Sequence, residues 1–193
     1  MNSDLKTAVS VAGTAVSAYT LPMTNITLIA AAKFGLERLV KEEVMALGFA
    51  EPQVSEGRIE FEAAPVDIAR ASLWLRYSDR LLLKMGEFPA LTFDELFEQT
   101  KALPWEEWIT PDGKFTVNAK SVKSTLQSER TCQAIVKKAV VERLKEKFKV
   151  EWFEETGPDF TIQVTLRKDA ALLTLDPSGA GLHKRGYRLE AGE

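Results

Sequence analysis

Lys120, Lys123 and Arg130 fall within eleven residues, interleaved with Ser121, Ser124, Thr125 and Ser128. Cations attract phosphate, and hydroxyls and helix N-terminal amides donate hydrogen bonds to phosphate oxygens. This pattern suits capture of a nucleic-acid backbone. The surrounding charge agrees: residues 113–149 carry ten Lys and Arg against three Glu, net +7, whereas residues 1–112 carry −7 and residues 150–193 carry −3. Clustered cations are the footprint of phosphate binding, although Lys-rich helix faces also serve solubility alone. Lys145, Lys147 and Lys149 stand at the far end of the same segment. They complement a helix C-terminal dipole and are read as structural.

A second cluster lies near the end, where Gly181-Leu-His-Lys-Arg-Gly-Tyr-Arg188 packs one His, three cations and one Tyr into eight residues. It reads either as a contact to nucleic-acid backbone or as a linker anchored by Tyr187. Catalytic chemistry has little support. No nucleophile or carboxylate constellation can be tied to His183. Glu106 and Glu107 are adjacent and diverge on a helix, and Asp94 with Glu98 is an ordinary surface pair. Cys132 reads as a small helix residue, with a reactive thiol near a helix N-terminus as the alternative.

These residues need elements to position them. Ile26–Ala32 is an apolar run of strand length, and Leu36, Leu39, Val40, Val44 and Leu47 recur at helical spacing up to Gly48. Residues 58–62 alternate as a strand after a turn at Glu56-Gly57. Pro65 opens a second helix with Ile68, Ala69, Leu73 and Trp74 on one face, and residues 80–88 form another strand. The order β-α-β-β-α-β is ferredoxin-like. Thr92 and Glu95 make a capping box for a helix carrying Phe93, Leu96 and Phe97. Trp105, Trp108 and Ile109 form an apolar anchor. Residues 114–120 form a strand facing inward with Phe115, Val117 and Ala119. Ser128 caps a helix to about Lys147, with Ile135, Val136, Ala139, Val140 and Leu144 inward. Two strands then meet at a Lys168-Asp169 turn.

The chain has 193 residues, 45% hydrophobic and 27% charged, which is an ordinary globular composition. One Cys and one His exclude an internal disulfide framework and a four-ligand zinc site. Residues 7–18 are too short and too weakly apolar to span a membrane. They offer a poor secretory signal, and residues 1–23 are better read as a disordered extension or a mis-called start, with Met23 as the true one. The expected location is cytoplasmic, with no membrane partner.

Four stretches carry a family resemblance: residues 24–44, residues 114–124 (KFTVNAKSVKS), residues 131–144, and residues 164–188, which end in DPSGAGLHKRGYR. Residues 24–188 resemble the N-terminal half of the bacterial THUMP-containing RNA methyltransferases that modify the exocyclic amine of guanine, most closely the large-subunit ribosomal RNA group. The resemblance implies an α+β protein: a ferredoxin-like domain at 24–91, an α/β THUMP domain at 92–177, and a basic linker at 178–193. It also implies RNA as partner, ribosomal before transfer RNA. RNA contacts then carry over to Lys120, Lys123, Ser124 and Arg130 at the loop, to Lys137 and Lys138 on the helix, and to Lys184, Arg185 and Arg188 in the linker. Lys137 and Lys138 diverge by about 100° on a helix and cannot both face one phosphate row.

In the family a following Rossmann-like domain transfers methyl from S-adenosylmethionine. The sequence has no G-x-G-x-x-G and no Asn-Pro-Pro-Tyr. No cofactor or catalytic residue therefore carries over; the expectation is a non-catalytic RNA-capture module that works with a methyltransferase domain in cis or in trans. The competing reading is a scaffold module docking a separate catalytic subunit, with Trp105 and Trp108 as candidate anchors if they are not core.

Overall fold

The computed structural model describes residues 25–177 together with 181 and 182. The extension at 1–23 and the linker residues His183, Lys184, Arg185, Tyr187 and Arg188 lie outside them.

The elements run β1 (Ile26–Ala32), α1 (Glu37–Ala46), β2 (Gln53–Ser55), β3 (Arg58–Ala63), α2 (Asp67–Trp74), β4 (Ser78–Pro89), α3 (Phe93–Ala102), a 3-10 turn (Trp105–Glu107), β5 (Lys114–Val122), α4 (Glu129–Phe148), β6 (Asp159–Arg167) and β7 (Ala170–Asp176). All seven strands join one sheet, ordered β2-β3-β1-β4-β7-β6-β5. β2-β3-β1-β4 is the ferredoxin-like half. The second half joins it because β4 is twelve residues long. Its first part pairs with β1 (Leu28↔Leu83, Ala30↔Leu81), and its second part pairs with β7 (Leu83↔Leu175, Phe88↔Ala171). A β-bulge between Lys84 and Gly86 falls where the two pairings meet, a place where bulges bend a strand and increase its twist.

Alternation along the strands sends Leu28 and Ala30, Ile59 and Phe61, Leu81 and Leu83, Leu173 and Leu175, and Ile162 and Val164 into one core. All four helices add to it, including Val40 and Val44 of α1, Leu96 of α3, and Val136, Val140 and Leu144 of α4. The two halves thus share one sheet and one core. The opposite sheet face receives no helix among the described residues.

Several local expectations hold. The Thr92–Glu95 capping box is formed in both directions. Ser128 Oγ accepts the Thr131 N–H at 3.3 Å and caps α4. Lys168 and Asp169 both have positive φ, 51° and 63°, as a tight hairpin turn requires. α2 differs: its inward line is Ile68, Ala71 and Leu75, while Leu73 and Trp74 are exposed. Trp105 is fully buried and donates its indole N–H to the Thr100 carbonyl at 2.8 Å. It is core, and the scaffold reading loses its main anchor; Trp108 is half-buried against the same core. Among the described residues no helix is long and apolar enough to cross a membrane.

Candidate nucleic-acid interface

β5 and β6 are the parallel pair of the sheet, in register from Lys114↔Asp159 to Val122↔Arg167, and α4 is the crossover between them. That topology brings the C-terminal ends of both strands and the N-terminus of the crossover helix to one end of the fold. Lys120 (end of β5), Lys123 (loop), Arg130 (first turn of α4) and Lys168 (β6–β7 turn) therefore gather at one corner. All four are exposed, and none has an ion-pair partner among the described residues.

The loop between β5 and α4 is held from inside. Lys123 takes a left-handed conformation at φ 52°. Ser124 is buried; its hydroxyl accepts the Asp169 N–H at 3.0 Å. The Asp169 carboxylate accepts the Thr125 N–H at 2.6 Å, and the Lys168 N–H donates to the Val122 carbonyl at 3.3 Å. Ser121 Oγ donates to the Leu126 carbonyl at 2.7 Å. Ser124 thus positions the loop instead of presenting its hydroxyl to a ligand. Burying these hydroxyls holds the cations outward without spending their charge.

The remaining helix cations divide. Lys137 lies over the Phe115 ring, 5.9 Å from its centroid, on the β5 side of α4. Lys138 lies over Phe97 at 5.5 Å and 3.8 Å from Glu142, on the α3 side. Lys137 borders the corner's strand and Lys138 points away from it, as their angular separation requires. At the far end of α4, Arg143 makes a two-point pair with Glu106 at 2.9 and 2.6 Å, and Lys147 approaches the same carboxylate at 3.6 Å. Burial alone would raise the Glu106 carboxyl; the Arg143 guanidinium, a backbone hydrogen bond and the Lys147 ammonium together outweigh it and hold the carboxyl below its usual range. Arg143 and Lys147 are therefore consumed in packing, whereas Lys120, Lys123 and Arg130 around the N-terminal end of α4 make no ion pair among the described residues. Cys132 is buried, and that burial pushes its thiol up, so the helix N-terminus does not activate it.

Arg167 and Lys168 escaped the sequence reading because they lie more than thirty residues beyond Arg130. The strand–helix–strand pattern was the available signal, since it brings the ends of β5 and β6 together. Arg167 also pairs with Glu56 at 3.0 Å. Glu56 belongs to the β2–β3 turn, and β1, β4 and β7 lie between β3 and β6 in the sheet. Contact across three intervening strands means that the sheet curls around its helix-free face, as strand twist and the β4 bulge favour. The curl encloses a trough of about 610 Å³ there.

A nucleotide-type cofactor at a parallel strand–helix junction needs glycine for close backbone approach. The β5–α4 junction, Ser121 to Ser128, contains none. Among the described residues no group of three His, Cys, Asp or Glu could hold a metal ion.

Comparison with known proteins matches residues 27–82 to the RlmL ferredoxin-like domain and residues 90–176 to the THUMP domain. Over 172 residues the chain is 52% identical to a Bacillus subtilis protein named "Putative RNA methyltransferase YpsC", covering 88% of this chain and 44% of that protein. It is 35% identical over 166 residues to Ribosomal RNA large subunit methyltransferase K/L of Syntrophotalea carbinolica, covering 86% of this chain and 23% of that one. A Listeria monocytogenes crystal structure described as "a predicted N6-adenine-specific DNA methylase" superposes with a TM-score of 0.84 at 52% identity, covering 88% and 45% of the two chains. The chain thus spans less than half the length of each of these relatives.

Proposed function

This chain joins a ferredoxin-like domain to a THUMP domain, and from that premise we propose that it is the RNA-capturing module of an S-adenosylmethionine-dependent ribosomal RNA guanine-N2 methyltransferase. The observation that carries the reading is the corner of Lys120, Lys123, Arg130 and Lys168, exposed and without carboxylate partners on a loop fixed from within. Cations left unpaired on a preorganised loop are free to neutralise phosphates at little ordering cost. The ribosomal assignment draws its support from the ferredoxin-like match and from the name of the 35% identical relative. On this reading the described residues perform no methyl transfer. They hold RNA for a Rossmann-like methyltransferase domain, in cis or in trans, that carries the methyl donor. The protein works in the cytoplasm.

Filter binding against ribosomal and transfer RNA tests it. The double substitution Lys123→Glu and Arg130→Glu should weaken ribosomal RNA binding by more than tenfold at moderate salt. Lys145→Ala with Lys149→Ala, at the far end of α4, should change it less than twofold. Equal losses from the two pairs would remove the site assignment, and preference for transfer RNA would remove the ribosomal one.

A further inference from the structure

The trough on the helix-free face has not entered the account of the corner, yet the two meet at Lys168. Its floor is aliphatic: Ile29 and Leu82 are paired neighbours on β1 and β4, and Leu172 of β7 lies beyond them. Gln163 and Thr165 of β6 add polar groups beside this floor, and their side chains make no hydrogen bond to another described residue. Arg58 and Lys168 are the cations of the lining that have no ion-pair partner among the described residues, and the Arg167–Glu56 pair closes one side. The volume of about 610 Å³ lies within the range of small-ligand sites, ~300–1,000 Å³.

We propose that this trough takes an unpaired stretch of the RNA whose backbone is held at the corner; the proposal rests on the RNA-capture reading. A base is a flat apolar plate with a polar edge. The Ile29, Leu82 and Leu172 floor accommodates the plate. The Gln163 amide and the Thr165 hydroxyl supply both donors and acceptors for the edge. Lys168 and Arg58 then meet the phosphates on either side of the base, so the path continues from Lys123 and Lys120 into the trough, where the two carboxylates of the lining, Glu56 and Glu87, are neutralised by Arg167 and Lys84. A duplex keeps its base edges paired and stacked, whereas protein sites that read RNA chemistry take splayed, unpaired bases. No aromatic ring lines the trough. Recognition therefore depends on the apolar floor and the edge hydrogen bonds rather than on stacking.

The test compares oligouridine, which is unpaired, with a blunt RNA duplex of equal phosphate count. The substitution Gln163→Leu with Thr165→Leu removes the polar edge and narrows the trough without changing charge or adding a ring. It should weaken oligouridine binding about tenfold and leave duplex binding within twofold. Gln163→Ala alone, a milder change that serves if the double variant does not fold, should weaken oligouridine binding a few-fold with an unaltered thermal transition. Oligouridine affinity unchanged in both variants, or equal losses for both RNAs, would overturn the proposal. Wild-type protein that binds duplex but not oligouridine would overturn it while leaving RNA capture standing. Wild-type protein that binds neither would overturn both.

Discussion

Asp169 separates two explanations of how the corner works. It is a carboxylate amid cations, so if charge alone governs RNA affinity, removing it should tighten binding. The structure gives it another task, since its carboxylate accepts the Thr125 N–H at 2.6 Å and its backbone occupies φ 63° at the hairpin turn. Asp169→Asn keeps an oxygen acceptor and a residue that tolerates the left-handed region; Asp169→Ala keeps neither. Losing a hydrogen bond to a charged group costs about 1.5–3 kcal/mol. Placing Ala at positive φ adds about 1 kcal/mol. The alanine variant should therefore lose about 3 kcal/mol, or roughly 6–12 °C in Tm for a chain of this size, and the asparagine variant far less. The freed loop must be re-ordered on binding, at about 1–2 kcal/mol per residue, so one such residue makes RNA binding about 5–30-fold weaker. Thermal unfolding by circular dichroism and filter binding on the same samples provide both readouts. Two variants of equal Tm that both bind RNA more tightly than wild type would refute the pinned-loop argument.

Further outcomes follow from the packing. Glu106→Gln should cost about 2 kcal/mol by breaking the pair with Arg143. Because the folded-state Glu106 carboxyl lies below its usual range, its stabilisation is full above the unfolded-state pKa and is lost as pH falls through the lower folded value. Melting curves from pH 7 to pH 3 should therefore converge for wild type and variant at the acid end; a constant gap would contradict the sign. Trp105→Ala should cost about 3–5 kcal/mol, measured by urea unfolding, since the ring is fully buried and its N–H is bonded. Cys132 should react with a thiol reagent only at the rate of unfolding, and rapid labelling of the native protein would contradict its burial.

Local chemistry was legible in the sequence where one short-range rule decides the outcome. The Thr92–Glu95 box, the Ser128 cap, the Lys168-Asp169 turn and the alternation of Phe115, Val117 and Ala119 are all of this kind. α2 was misread because its apolar residues fit two overlapping helical lines. The line that is buried depends on how Ile68, Ala71 and Leu75 meet the sheet, which is a tertiary matter. The length of β4 was underestimated for a similar reason: its ends are ordered by separate partners, β1 and β7, distant in sequence. Charge spacing singled out Lys120, Lys123 and Arg130, which the fold brings to one corner. It could not show that Ser124 is buried or that Lys168 completes the corner, because both follow from the pairing of the β5 loop with the β6–β7 turn.

The central claim is that the unpaired cations of this corner bind RNA phosphates. The most direct measurement is the slope of log affinity against log salt concentration for ribosomal RNA. It should be taken for the wild type and for the variant with Lys120, Lys123, Arg130 and Lys168 all changed to Ala. If all four contact phosphate, each contributes about 0.7–0.9 to the slope, so the variant should be shallower by about 3 units. Identical slopes would show that the RNA, if bound, is held elsewhere on the molecule.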